Sequence, residues 1–353
     1  MRRAHAAAAA CLVLVSLEHS DSGAKQVVSM NTTSKGLTDV PGIKVGHSTL
    51  TERPTGCTVV LAETGAVAAV DVRGAAPATR ETDLLDPVNT VQIAHAIVLS
   101  GGSAFGLDAA SGVMRYLEER KIGFAFGSAY VPIVPAAALF DLSVGDGRIR
   151  PGPECGYQAA RAASTDAVRE GNVGAGAGAT VGKASGVAGA MKGGIGSASV
   201  SLPDGLVVAA IVATNGFGDV IDPSNGRIVA GARGKDGKTF ADARLLARSG
   251  AIRFRTGENT TLAVVATNAT LTKTEAKRVA EMAHDGFARA IMPSHTPVDG
   301  DAIFALATGV KPGRADVGLV GVLAADVVAQ AILRAVHAAH SIPGYPAVRD
   351  IQR

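Results

Sequence analysis

Several short runs in this chain are apolar without alternation, and they limit the fold more than any other feature. Residues 95–99 (HAIVL), 205–215 (GLVVAAIVATN), 260–268 (TTLAVVATN) and 301–309 (DAIFALATG) all read as strands, the first three of them buried. A strand that is apolar on both sides needs cover on both. Helical spacing fills much of the rest. Leu107, Ala110, Val113, Met114 and Leu117 predict a helix from about Phe105 to Arg120, and a second helix begins near Cys155. Thr272 caps a third, with Ala276, Val279, Ala283, Phe287 and Ala290 on one face, and "AADVVAQAILRAVHAAH" forms a last one. "GCTVVLAETGAVAAVDVRG" reads as two strands around a turn at residues 63–65, and "VPIVPAAALFDL" as a further strand-like run. Residues 219–257 carry most of the polar text and read as a long loop or arm. Strands and helices interleave without strict alternation, which predicts a layered α/β protein with sheets between helices.

Composition removes several function classes. Of 353 residues, 47% are hydrophobic and 18% charged, enough apolar material for a core. The net charge is +3, no Lys/Arg block exceeds two residues and there is no Trp, so a nucleic-acid-binding face is not expected. Cys11, Cys57 and Cys155 are an odd number at no ligand spacing and read as reduced, buried thiols. No HExxH pair is present, and neither a metal nor an organic cofactor is expected. Arg2-Arg3 and the apolar residues 6–17 resemble a signal peptide, while Met30 offers a rival start. Residues 1–36 are therefore a leader or a spurious extension. A cytoplasmic location is expected, with export as the alternative if residues 1–24 are a true signal. No later stretch reads as long and uninterrupted enough to cross a membrane, so no membrane partner is expected.

Four segments could carry chemistry. "GAGAGATVGKA" nearly matches a phosphate loop, but Ala177 and Ala184 occupy positions that require Gly and Ser/Thr, so a tight glycine-rich turn is the better reading. Lys183 stands there as a lone charge in apolar sequence. "GGSAFG" misses the nucleophile-elbow pattern by one position, which leaves Ser103 as a structural or substrate-lining residue. "ENTTLAVVATN" puts an Asn-Thr junction at the start of a buried strand after a polar approach. Thr is a poor nucleophile without an adjacent base, and its own α-amine, with a pKa of about 8, supplies one once the bond before Thr260 is cut. Taken alone, this junction reads better as a glycosylation sequon or a plain strand start. "HTPVDGDAIFALATG" then places Asp299 and Asp301 at spacing two before a strand, where paired carboxylates can orient an ammonium or hydroxyl. A polar turn is the alternative reading there.

Together, "DVPGIKVGHST", "HAIVLSGGSAFGLDAA", "NTTLAVVATNATLT", "MAHDGFARAI" and "HTPVDGDAIFALATG", in this order, resemble the DmpA/β-peptidyl aminopeptidase family. The similarity is to its threonine-nucleophile branch and runs from about Gly36 to the C-terminus. The resemblance implies a four-layer αββα sandwich and one precursor that cuts itself between Asn259 and Thr260. It implies an α subunit of residues 37–259 and a β subunit of residues 260–353, forming one domain, in a homo-oligomer that is commonly a tetramer of αβ units. By the same resemblance Thr260 is the nucleophile, Asn215 helps hold the oxyanion, Lys183 lies close to the nucleophile, and Asp299 and Asp301 orient it. Some relatives have Tyr where this chain has Phe140, so an oxyanion donor is missing there and the substrate range is open. The expected activity is that of an aminopeptidase on short peptides or amino-acid amides, with Asp299/Asp301 as a candidate ammonium site. The alternatives are an amidase on ω-amino-acid oligomers or pantetheine-like amides, and a non-catalytic binding protein keeping the fold.

Overall fold

The computed structural model describes residues 34–252, 254 and 259–351. Most of the 1–36 segment lies outside these, as do Cys11 and the four residues before Asn259. One sheet of nine strands carries the fold. They are β1 (Lys44–Thr49), β2 (Gly56–Val72), β3 (Thr79–Arg80), β4 (Ile93–Ser100), β5 (Ala136–Ala138), β6 (Gly194–Ser201), β7 (Val207–Thr214), β8 (Leu262–Thr267) and β9 (Ala302–Ala307). Their order is β6-β7-β8-β9-β2-β4-β5-β3, with β1 paired to the first half of β2. The helices are α1 (Ala109–Glu118), α2 (Pro153–Arg161), α3 (Ala243–Arg248), α4 (Lys273–Ala290), α5 (Val317–Ala338) and α6 (Val348–Ile351).

Side-chain alternation converts this sheet into a sandwich. Along β7, Val208, Ala210 and Val212 pack with α4 and α5, whereas Ala209, Ile211 and Ala213 point into a separate core. β8 and β9 divide the same way, with Val265 and Ile303 on the helix side and Val264 and Phe304 inside. That inner core also receives Val60, Ala68, Ile97 and Leu99 from β2 and β4. The outer face of the first half of β2 and of β4 (Val59, Leu61, Val98) packs on α1 and α2. Helices, sheet half, sheet half and helices make the expected four-layer αββα arrangement, with β2 belonging to both halves.

Four expectations need correction. Residues 63–65 do not end a strand. β2 runs through them, and its register on β4 shifts between Leu61 and Ala66, a bulge at which Gly65 takes a φ of 82°. The run 131–142 yields only Ala136–Ala138 as sheet strand, since Pro132 and Pro135 interrupt it. The arm 219–257 is ordered for much of its described length. Asp219–Asp222, Arg227–Ala230 and Ile291–Met292 form a small antiparallel sheet, and buried Asp219 accepts N–H bonds from Ala232 and Ala243. Lastly, α5 begins at Val317, earlier than expected, and is long and apolar enough by composition to span a membrane. Val320, Ala324, Val327, Val328, Ile332 and Val336 are instead buried in the core under the sheet. Cys57 and Cys155 are free, buried thiols, as the sequence suggests.

Candidate active site

Three neighbouring strands bring the candidate residues to one end of the sheet. β7 is antiparallel to β8, with Ala213 opposite Leu262, so Asn215 beyond β7 faces the residues just before β8. The Thr260 N–H continues that ladder by donating to the Asn215 carbonyl at 3.1 Å. β9 runs parallel to β8, and an isolated bridge pairs Asn259 with Asp299. Thus Asn215, Asn259-Thr260 and Asp299-Asp301 are adjacent because strand pairing places them there. All five are buried.

The peptide bond between Asn259 and Thr260 is held on several sides. The Thr260 hydroxyl donates to the Asn259 carbonyl oxygen, which also accepts the Gly300 N–H at 3.0 Å. Gly300 has no room for a side chain, since a Cβ there would sit 2.5 Å from the Ala76 carbonyl and 2.7 Å from Thr260 Oγ1. Asn215 Oδ1 accepts the Thr180 N–H at 2.9 Å and Nδ2 donates to the Phe140 carbonyl at 3.0 Å. Lys183 Nζ donates to both the carbonyl and Oδ1 of Asn215 at 3.2 Å, so the lone charge of the glycine-rich segment lies in the site.

The acidic pair is sealed. Asp299 Oδ1 accepts the Phe217 N–H at 3.2 Å, and Oδ2 accepts the N–H and hydroxyl of Thr296. Asp301 Oδ1 accepts the Thr261 N–H at 2.8 Å, and Oδ2 takes His295 N–H and Nδ1 at 3.1 and 2.9 Å. All four oxygens accept at least one hydrogen bond from the surrounding protein. Burial, reinforced by the neighbouring Asp301 charge, pushes the Asp299 carboxyl up to about 6.

A cleft of about 400 Å³ opens beside the junction, with Lys183, Val187, Phe217, Leu246, Ala251 and Asn259 among its walls. Lys183 is the only ionisable side chain among the described lining residues. Ser103 and Phe140 stand outside that wall. The Ser103 N–H is tied to the Leu139 carbonyl at 2.9 Å, and Phe140 reaches the site only through its carbonyl.

Sequence reasoning missed three supports. Lys192, fully buried, donates from Nζ to the carbonyls of Gly176, Ala179 and Gly193, and so pins the glycine-rich turn that offers Thr180 N–H to Asn215. Arg53 and Asp141 form a buried pair at 2.7 Å directly after Phe140. Asp141 also accepts the Gly102 N–H and Thr55 hydroxyl, fixing the segment whose carbonyl holds Asn215. The third is His295. It opens the "HTPVDGD" motif, in which the two acids carry the stronger signal.

An αββα sandwich with a buried hydroxyl, amide and carboxylates at one end of its central strands has the architecture of an Ntn-fold peptide-bond hydrolase, and the comparisons agree. Residues 35–349 match peptidase family S58, and the chain belongs to that family. It is 43% identical over 342 residues to an uncharacterized aminopeptidase of Mycobacterium tuberculosis, covering 89% of this chain and 97% of that one. It is 30% identical over 312 residues to a 6-aminohexanoate-oligomer endohydrolase of Kocuria sp., covering 84% of each. The L-aminopeptidase D-Ala-esterase/amidase of Ochrobactrum anthropi, described as a variant of the Ntn-hydrolase fold, superposes with a TM-score of 0.65 at 19% identity, over 89% of both chains. A Burkholderia sp. β-aminopeptidase gives 0.62 at 23% identity, over 86% of this chain and 87% of that one. The chain is a hydrolase of peptide bonds.

Proposed function

We propose that the chain cuts itself between Asn259 and Thr260, and that the freed Thr260 is the nucleophile of an aminopeptidase or amidase. One observation carries the reading. The Thr260 hydroxyl lies against the carbonyl it would attack, and the oxygen of that carbonyl already accepts a backbone N–H from Gly300. Attack of Oγ1 on the Asn259 carbonyl carbon forms a C–O bond. The C–N bond then breaks, the hydroxyl proton passes to the Thr260 nitrogen, and an ester remains. Water hydrolyses that ester, leaving a carboxylate on Asn259 and a free amine and hydroxyl on Thr260.

The freed amine stays beside the Asn215 carbonyl, its partner before cleavage. The Lys183 ammonium, bonded to the same carbonyl, favours the neutral amine, which is the form that takes the hydroxyl proton in the next attack. Asn215 with neighbouring N–H groups holds the substrate oxyanion, and water releases the acyl group from Thr260. Exposed Phe124 and Phe126 on the hairpin of Phe124–Phe126 with Ala129–Val131 supply apolar surface for assembly of αβ units into a homo-oligomer.

A second reading is an amidase on chains whose amine is distant from the scissile bond, supported by the likeness to the 6-aminohexanoate-oligomer endohydrolase. A panel of aminoacyl p-nitroanilides beside 6-aminohexanoate oligomers separates the two. Loss of all turnover in Thr260→Ala is expected, and undiminished turnover would remove Thr260 as the nucleophile.

A further inference from the structure

His295 contributes two donors to a single oxygen. Its backbone N–H and its ring Nδ1 both reach Asp301 Oδ2, at 3.1 and 2.9 Å. The other oxygen of that carboxylate holds the Thr261 N–H at 2.8 Å, one residue after the scissile junction. Asp301 therefore links His295 to the backbone that carries Thr260. The ring makes no other hydrogen bond among the described residues, since Nε2 is buried without a partner. Because a carboxylate only accepts, Nδ1 carries the proton and Nε2 is bare in the neutral ring.

Two more features tie His295 to this task. Its φ is 55°, left-handed backbone that a residue with a side chain adopts at some cost and that surrounding structure must enforce. That conformation lets the N–H and ring of one residue converge on the same oxygen. The ring is then wedged edge-on against His284, with centroids 4.7 Å apart, and lies 5.9 Å from Phe287 on α4. Helix packing thus fixes the ring, and the ring fixes the carboxylate.

We infer that His295 is the positioning residue of this site, holding Asp301 and through it the Thr260-Thr261 backbone in the register that attack requires. The inference rests on the self-cleavage reading above. A displacement of about 1 Å at a reacting atom costs on the order of 100-fold in rate.

The test compares His295→Asn, His295→Gln and Thr260→Ala in the full chain. Asn can place an amide N–H where Nδ1 stands, whereas the Gln amide reaches toward the Nε2 position. The rate at which the two fragments appear is followed, along with kcat and KM on an aminoacyl p-nitroanilide. His295→Gln is expected to slow both processing and kcat by about 10- to 100-fold with KM within about twofold, and His295→Asn to recover most of the loss. Equal rates for the Asn and Gln variants, whether both fast or both slow, would overturn the role. Thr260→Ala separates this from the underlying reading. If it still yields two fragments, self-cleavage by Thr260 is wrong. If it stays intact while both His295 variants behave alike, the positioning role alone is wrong.

Discussion

Lys192 is a fully buried amine, and replacing it by methionine tests whether the glycine-rich turn depends on it. Its Nζ donates to the Gly176, Ala179 and Gly193 carbonyls at 2.8, 2.9 and 3.1 Å. Gly176 O and Ala179 O also accept backbone bonds, from Ala179 N and Gly193 N, so each would keep one partner in Lys192→Met. Gly193 O would lose the one hydrogen bond identified for it among the described residues. An orphaned buried carbonyl costs about 1–3 kcal/mol, and two weakened charge-assisted bonds add to it. Relief from burying a charge works the other way, and it is large, because burial pushes the ammonium down to about 7 despite the opposing Asp141 charge. With the carbonyl loss taken as the larger, the net expectation is a loss of about 1–2 kcal/mol near pH 7. For a chain of this size that lowers Tm by roughly 1–3 °C. Thermal unfolding in a Thr260→Ala background, where the chain stays in one piece, measures it. The sign with pH follows from the depressed value. Between about pH 7 and 10.5 the unfolded chain binds the proton that the folded chain has released, so the parent gains stability as pH rises, and Lys192→Met lacks that slope. A variant as stable as the parent at pH 7, with an unchanged slope to pH 9, would refute the reasoning.

Gly300→Ala places a methyl group against the Ala76 carbonyl and Thr260 Oγ1 and shifts the N–H that holds the Asn259 carbonyl. Fragment formation should slow at least about 100-fold on a gel time course, the low end of what one oxyanion donor contributes. Asp299 accepts three donors as a carboxylate, and burial raises it to about 6. Protonation removes an acceptor, so processing should fall as pH drops through about 6, and Asp299→Asn should be slow without that acid limb. For stability the sign is opposite. A raised carboxyl favours the folded state below about pH 4, and that contribution is lost as pH rises through about 6, as pH-dependent melting would record.

The part of the fold legible in the sequence was the part carried by local pattern. β7, β8 and β9 are buried on both faces and stand out as continuous apolar text, and α4 has its capping box of Thr272 and Glu275. Once those strands are neighbours, Asn215, Thr260 and the acidic pair are neighbours too. What was not legible depends on distant partners. The bulge in β2 resembles a turn, because only its continued pairing with β4 defines it as a bulge. The start of α5 is masked by Gly318 and Gly321, and at Gly321 the helix comes so close to α4 that a Cβ would collide with Met282. Lys192 and Arg53 are ordinary basic residues in one dimension, and only burial among carbonyls and a carboxylate gives them a role. The acidic pair is legible, but its oxygens accept from backbone N–H groups, the Thr296 hydroxyl and His295, and no spacing rule encodes those partners.

The central claim is the cut before Thr260. Intact-mass measurement of the purified protein, with N-terminal sequencing of the smaller species, tests it most directly. The account predicts two chains, the smaller beginning Thr-Thr-Leu, and one uncut chain for Thr260→Ala. A single chain that still joins Asn259 to Thr260, in protein that turns over amide substrate, would contradict it.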